Sequence, residues 1–168
     1  AGAAFASDVD NSIVWTNDTE AVLSGDHTWD TTDAAKSPVK IDLKGYTLTF
    51  GSGAEVISGD GVTVTSTSGD ANIGDKENAK IYGAKLIENF KIADLTYLWA
   101  IGAKKEAVAS ASTDLTVKNV KMDDPTGKDW RDKQFKIVGG VLVWNTTAVD
   151  LSSATVTVED SIVGHSVY

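Results

Sequence analysis

Apolar and polar side chains alternate along most of this chain in short runs. Val62-Thr63-Val64-Thr65, Leu115-Thr116-Val117-Lys118 and Val156-Thr157-Val158-Glu159 each put apolar residues on one face and Thr or charge on the other, the period-two pattern of half-buried β-strands. β-Branched residues fill the runs, and Gly, Asn, Asp and Ser fill the gaps, as at 66–72 and 123–127, where turns are expected. Helical periodicity is almost absent beyond the first forty residues, apart from a helical turn or two expected between Gly102 and Ser112. The pattern predicts an all-β protein.

Longer-range repetition narrows the architecture. Phe90-Lys91-Ile92 and an apolar stretch closing on Trp99 return, 45 residues later at both ends, as Phe135-Lys136-Ile137 and a stretch closing on Trp144. An apolar-Thr-apolar triplet recurs at Leu48-Thr49-Phe50, Val62-Thr63-Val64, Leu95-Thr96-Tyr97, Leu115-Thr116-Val117 and Val156-Thr157-Val158. Units this short cannot bury an apolar face alone and must stack on their neighbours. Anchors at Ile41, Val62, Ile92, Leu115, Ile137 and Val156 recur about every twenty residues, the length of one coil of a parallel β-helix and too long for a meander or sandwich. The expected fold is a parallel β-helix solenoid of about five to six coils, roughly 25 to 30 Å long at the spacing of β-strands. In this register Thr63, Thr96, Thr116 and Thr157 form an outward ladder. Val64, Tyr97, Val117 and Val158 form an inward column, Trp99 and Trp144 occupy equivalent positions, and Gly69 to Lys80 loops out of the coil. Residues 1–40 fit the repeat poorly and are read as an N-terminal cap carrying Phe5, Ile13, Val14, Trp15 and Trp29. Residues 41–168 are read as the solenoid, and Ser161-Ile162-Val163-Gly164, still strand-like, is read as a sign of a longer parent or of a partner that covers that end.

Composition limits the function classes. Apolar residues at 42% and charged residues at 23% exclude disorder, and no apolar run approaches the length that crosses a bilayer. A formal charge of −9 argues against nucleic acid as a partner, since that binding needs clustered Lys and Arg. The absence of Cys removes disulfides, thiolate chemistry and Cys-based zinc sites together. The small-residue start, Ala1-Gly2-Ala3-Ala4-Phe5-Ala6-Ser7, is read as the end left by signal-peptide cleavage or as a boundary of the expressed chain.

Ile41-Asp42-Leu43-Lys44-Gly45-Tyr46-Thr47-Leu48-Thr49-Phe50 resembles a segment that opens many bacterial surface β-helices, including autotransporter passengers, and Asp114 to Val120 resembles a coil of the pectin-lyase-like superfamily. The resemblance covers roughly residues 38 to 165. It implies a right-handed helix, export to the bacterial cell surface or extracellular space, and a role in adhesion, self-association or display. Pectin-lyase-like enzymes, by the same resemblance, act with carboxylates, Arg or Lys, and sometimes calcium, gathered on one outer face.

The densest charged stretch is Asp123-Asp124-Pro125-Thr126-Gly127-Lys128-Asp129-Trp130-Arg131-Asp132-Lys133. Its Asp123, Asp124 and Asp129 offer oxygen ligands for calcium, and Trp130 beside Arg131 suits stacking on a sugar or seating a partner. The spacing does not match the EF-hand loop, and a solvated loop of balanced charges is the simpler reading; no cofactor is expected. His27 and His165 lie far apart in sequence and are read as surface or capping residues. Asn17-Asp18-Thr19 and Asn145-Thr146-Thr147 match the glycosylation acceptor pattern. Because a Thr ladder is not an acid-base site, the pattern favours a non-catalytic surface protein whose partners are other copies of itself, host-cell or matrix ligands, or glycans. The alternatives are a polysaccharide lyase or hydrolase and a carbohydrate-binding β-sandwich.

Overall fold

A computed structural model describes residues 11–74, 79–92, 98–101, 114–122 and 156–161. After a hairpin strand β1 (Ile13–Trp15), strands β2 (Glu20–Leu23) and β3 (His27–Trp29) lead to a one-turn helix α1 (Thr31–Ala34). Then follow β4 (Lys40–Asp42), β5 (Thr47–Phe50), β6 (Val56–Thr65), β7 (Asn72–Gly74), β8 (Ala79–Ile92), β9 (Leu98–Ile101), β10 (Leu115–Met122) and β11 (Val156–Glu159). Except for the antiparallel pair β1/β2, every described strand pairing is parallel.

The pairings form three ladders. In the first, Ala21, Ile41, Val64, Ile87, Val117 and Val158 lie opposite one another in turn. In the second, His27, Leu48, Ile73, Ile92 and Met122 do so. In the third, Ile57, Ile81 and Ala100 do so. Strand β8 contributes to all three, pairing through 80–82, then 84–88, then 90–92. A chain that visits three parallel ladders in rotation is winding as a parallel β-helix. An antiparallel sandwich, one of the alternatives, would instead pair its strands through hairpins.

Each inward column is aliphatic because successive side chains of a strand point to opposite faces. Ile41, Val64, Ile87 and Val117 from the first ladder meet Leu48, Ile73, Ile57 and Ile81 from the others in one buried core. The corners are built from residues that accept a left-handed backbone. β8 turns at Gly83 (φ 71) and again at Asn89 (φ 65), and the positions matching Asn89 in the next two strands are Asn119 (φ 50) and Asp160 (φ 48). Asn and Asp tolerate that conformation better than other residues bearing a Cβ. The Gly83 corner also has no room: a Cβ there would stand 1.8 Å from the Gly59 carbonyl oxygen, and one on Gly59 would stand 2.2 Å from that of Pro38.

The register differs from the expected one in four places. Thr63 pairs with Leu86, not with Thr96, and Val64 with Ile87, not with Tyr97. Val62 lies opposite Ala84, while Ile92 belongs to the second ladder opposite Ile73. Residues 69–80 do not loop out as a whole, since β7 joins the second ladder between β5 and β8. Leu115 pairs directly with Val156, and the expected anchor Ile137 lies outside the described residues. The common cause is that register follows the inward positions, which any aliphatic side chain satisfies, and the outward Thr residues are dispensable. Strands β2 and β3, within the segment read as a cap, stack in parallel on β4 and β5. Thr96, Tyr97, Trp144, the Phe135-Lys136-Ile137 unit and the expected helical turn lie outside the described residues.

Candidate functional site

Connections between the first and second ladders change length along the stack, and this opens a cleft. The passage from β6 to β7 takes six residues, Ser66 to Ala71, whereas in the next layers a single residue, Asn89 and then Asn119, makes the same corner. The longer connection overhangs the shorter ones. The recess of about 340 Å³ beneath it is lined by Ser66, Asp70, Asn89, Lys91, Asn119 and Lys121, among others.

Its overhanging wall is held rigidly. Buried Asp42 accepts hydrogen bonds from the Thr67 hydroxyl (2.7 Å), the Thr67 amide (3.0 Å) and the Lys44 amide (2.9 Å). The Ser66 hydroxyl accepts from the Gly45 amide at 2.9 Å. The two bonds from Thr67 to the Asp42 carboxylate, with the Gly45–Ser66 bond, tie the loop to the layer below. Its floor is an outward double row. The Asn119 side-chain amide donates to the Asn89 side-chain oxygen at 3.2 Å, and Lys91 and Lys121 are register partners on adjacent parallel strands.

Adjacent parallel strands lie about 4.8 Å apart, so two exposed ammonium groups are held side by side. No carboxylate of the described residues pairs with either. Like charges placed opposite each other on a sheet repel, and an anion bridging them would relieve that repulsion. Two lysines against the single carboxylate of Asp70 leave the recess with a net positive charge, which suits a ligand with carboxylate or similar groups flanked by amides and hydroxyls.

A family model describing glycosyl hydrolases family 28 matches residues 6–166. The chain belongs to that family. No curated protein matches it, and neither does any solved structure. Family 28 membership overturns the expectation of a non-catalytic adhesin and places the chain among polysaccharide-degrading enzymes. The likeness to autotransporter passengers is not supported, whereas the likeness to pectin-lyase-like β-helices is. Asp42-Leu43-Lys44-Gly45 builds a corner, with Lys44 (φ 47) and Gly45 (φ 83) in the left-handed region, so it reports coil geometry and not activity.

Asp123, Asp124, Asp129, Trp130 and Arg131 lie outside the described residues, as does His165. Among the described residues no group of three or more His, Cys, Asp or Glu side chains could hold a metal ion, and no helix is long and apolar enough to cross a membrane. Sequence reasoning missed the cleft's Asn-Lys double row. The signal was present as Asn89-Phe90-Lys91 and Asn119-Val120-Lys121, an Asn-apolar-Lys element in which Asn turns the corner, the apolar residue points inward and Lys points outward.

Proposed function

We propose that this family 28 protein hydrolyses glycosidic bonds in an acidic polysaccharide and grips the chain's carboxylates with Lys91 and Lys121. The observation that carries the reading is the register pairing of these lysines on the cleft floor, a basic spot on a protein of net charge −9. Local positive charge on an acidic molecule selects for an anionic ligand at that spot and repels it elsewhere.

Hydrolysis of a glycosidic bond needs one carboxylic acid to protonate the leaving oxygen and a second carboxylate, acting on water or on the anomeric carbon, to complete the displacement. Asp123 and Asp124 follow Lys121-Met122 directly in the chain, which makes them the first candidates for that pair, with Asp129 nearby in sequence. Trp130 and Arg131 are candidates for stacking on and pairing with the sugar. A right-handed winding in five to six coils, an N-terminal segment closing the stack, and secretion to the cell exterior complete the reading. Right-handed crossovers dominate parallel sheets, and a polysaccharide too large to enter a cell must be met outside it.

The test is release of reducing ends from a polyuronate compared with a neutral glucan. Turnover of the polyuronate alone is expected. The Lys91→Ala/Lys121→Ala double variant should raise KM by roughly tenfold per lost ammonium contact, a loss of about 1.4 kcal/mol each, with kcat largely kept. Asp123→Asn or Asp124→Asn should lower kcat instead. A folded protein that releases nothing from polyuronates, or whose double Lys variant is unchanged, would overturn the reading.

A further inference from the structure

The inward column of the second ladder is aliphatic at Leu48 and Ile73 but begins with His27, which is 3% exposed. A buried imidazole at the head of an aliphatic column needs partners on both nitrogens. It has them. Nε2 lies 2.7 Å from Asp33 Oδ2 and Nδ1 lies 2.6 Å from the Ser12 hydroxyl. Asp33, at the third position of α1, also accepts from the Trp15 indole N–H (3.3 Å) and from the Asp30 amide (3.1 Å). One polar chain thus ties Ser12, just before β1, and Trp15, its last residue, to β3 and α1.

Among the described residues, β1 is otherwise held by its hairpin with β2, where the Ser24 amide donates to the Ser12 carbonyl at 2.8 Å, and by packing of Ile13 and Trp15. Its described backbone partner is β2, Val14 is 50% exposed, and Ile13 and Trp15 are partly buried. Trp15 packs on Trp29 with ring centroids 6.1 Å apart, and the Lys36 ammonium sits 5.1 Å from the Trp15 ring centroid. We propose that β1 is an acid-released strap across the N-terminal end of the β-helix, held by the Ser12–His27–Asp33 chain and freed when Asp33 becomes protonated.

The proton inventory supports this. With neutral His27, the Ser12 hydroxyl donates to Nδ1 and Nε2–H donates to Asp33. With charged His27, the same hydroxyl rotates to accept from Nδ1–H, so one added proton is accommodated. A second proton is not, because Asp33 Oδ1 already faces the Trp15 N–H and Oδ2 faces two N–H donors. Burial pushes the Asp33 carboxyl up, but the hydrogen bonds from His27, the Asp30 amide and Trp15, with the His27 charge, outweigh it and leave the group below its ordinary 3.8. His27 is the charged side chain acting on Asp33, and Lys36 reaches the assembly through the Trp15 ring. A carboxyl depressed in the folded state stabilises above its unfolded value, and that contribution is lost as pH falls through the folded value. The strap therefore stays closed from neutral pH to about pH 4 and opens below it.

Hydrogen exchange corrected for intrinsic rates, read from pH 7 to pH 3, tests this on the whole chain. Protection of residues 13–23 should fall progressively as pH drops from the ordinary carboxyl value of 3.8 toward the depressed one, by at most about a factor of ten per pH unit in that interval, while that of β6 and β8 persists. Asp33→Asn should open the strap already at pH 7. Ser12→Ala, which removes the hydroxyl facing Nδ1 of His27, weakens the chain and should move release to higher pH. Loss of protection in β6 and β8 together with the strap, or wild-type protection of the strap at pH 7 in Asp33→Asn, or an unchanged release pH in Ser12→Ala, would overturn the proposal.

Discussion

The N-terminal end of the stack and the cleft at its side are both rich in polar side chains, yet they have opposite prospects for binding. At the end, Ser12, His27, Asp33 and Trp15 satisfy one another and two of them are buried. In the cleft, Lys91 and Lys121 are exposed on neighbouring strands, with no partner of opposite charge among the described residues. Groups that satisfy each other fix a conformation, and groups left for solvent are free to meet a ligand. A Ser–His–Asp chain attracts the eye as chemistry, but here its hydrogen-bonding capacity is spent on holding three segments together.

Substitutions should separate the two regions by size of effect. His27→Ala removes one partner of a buried pair and leaves Asp33 without its main donor, so a loss of about 3–5 kcal/mol is expected from urea unfolding midpoints. An effect within about 0.5 kcal/mol would show that the end network is as dispensable as a surface contact. Asn119→Ala sits between the regions in kind: it breaks the bond to Asn89 and puts a residue without local hydrogen-bonding ability in the left-handed corner. It should cost about 1–2 kcal/mol, and Asn119→Gly should recover most of that, whereas equal losses would point to the side-chain bond alone. Lys91→Ala should leave stability within about 0.5 kcal/mol of the parent yet weaken polyuronate binding and flatten its dependence on salt. If it raises stability, the repulsion between Lys91 and Lys121 in the empty cleft is stronger than solvent screening suggests.

Strand positions and the parallel stacking were legible in the sequence because alternation and the roughly twenty-residue period report directly on a coil with one buried face. The register was less so. Matching Thr63 to Thr96 follows the most conspicuous side chain, but Thr63 faces outward, and the layer formed by β8 fills the same row with Leu86. Val64 and Ile87, chemically unremarkable, carry the alignment. The candidate site was hidden for a related reason. Lys91 and Lys121 each sit in an ordinary amphipathic run, and nothing local marks them as neighbours until Asn89 and Asn119 are seen to turn the same corner 30 residues apart. His27, read as a surface or capping residue, is buried, which a solitary His without periodic signal does not announce. Its burial depends on Asp33 and Ser12, which lie in two other segments.

The six-residue connection from Ser66 to Ala71 has a further consequence. It grows outward from a corner that takes one residue in the layers that follow, at Asn89 and Asn119, while the corner where Gly83 abuts the Gly59 backbone tolerates no added atom. Lengthening or trimming is thus permitted along one edge of the prism and forbidden along another. Descendants of this scaffold can deepen or flatten their groove by editing a single loop, leaving the spacing of the layers untouched.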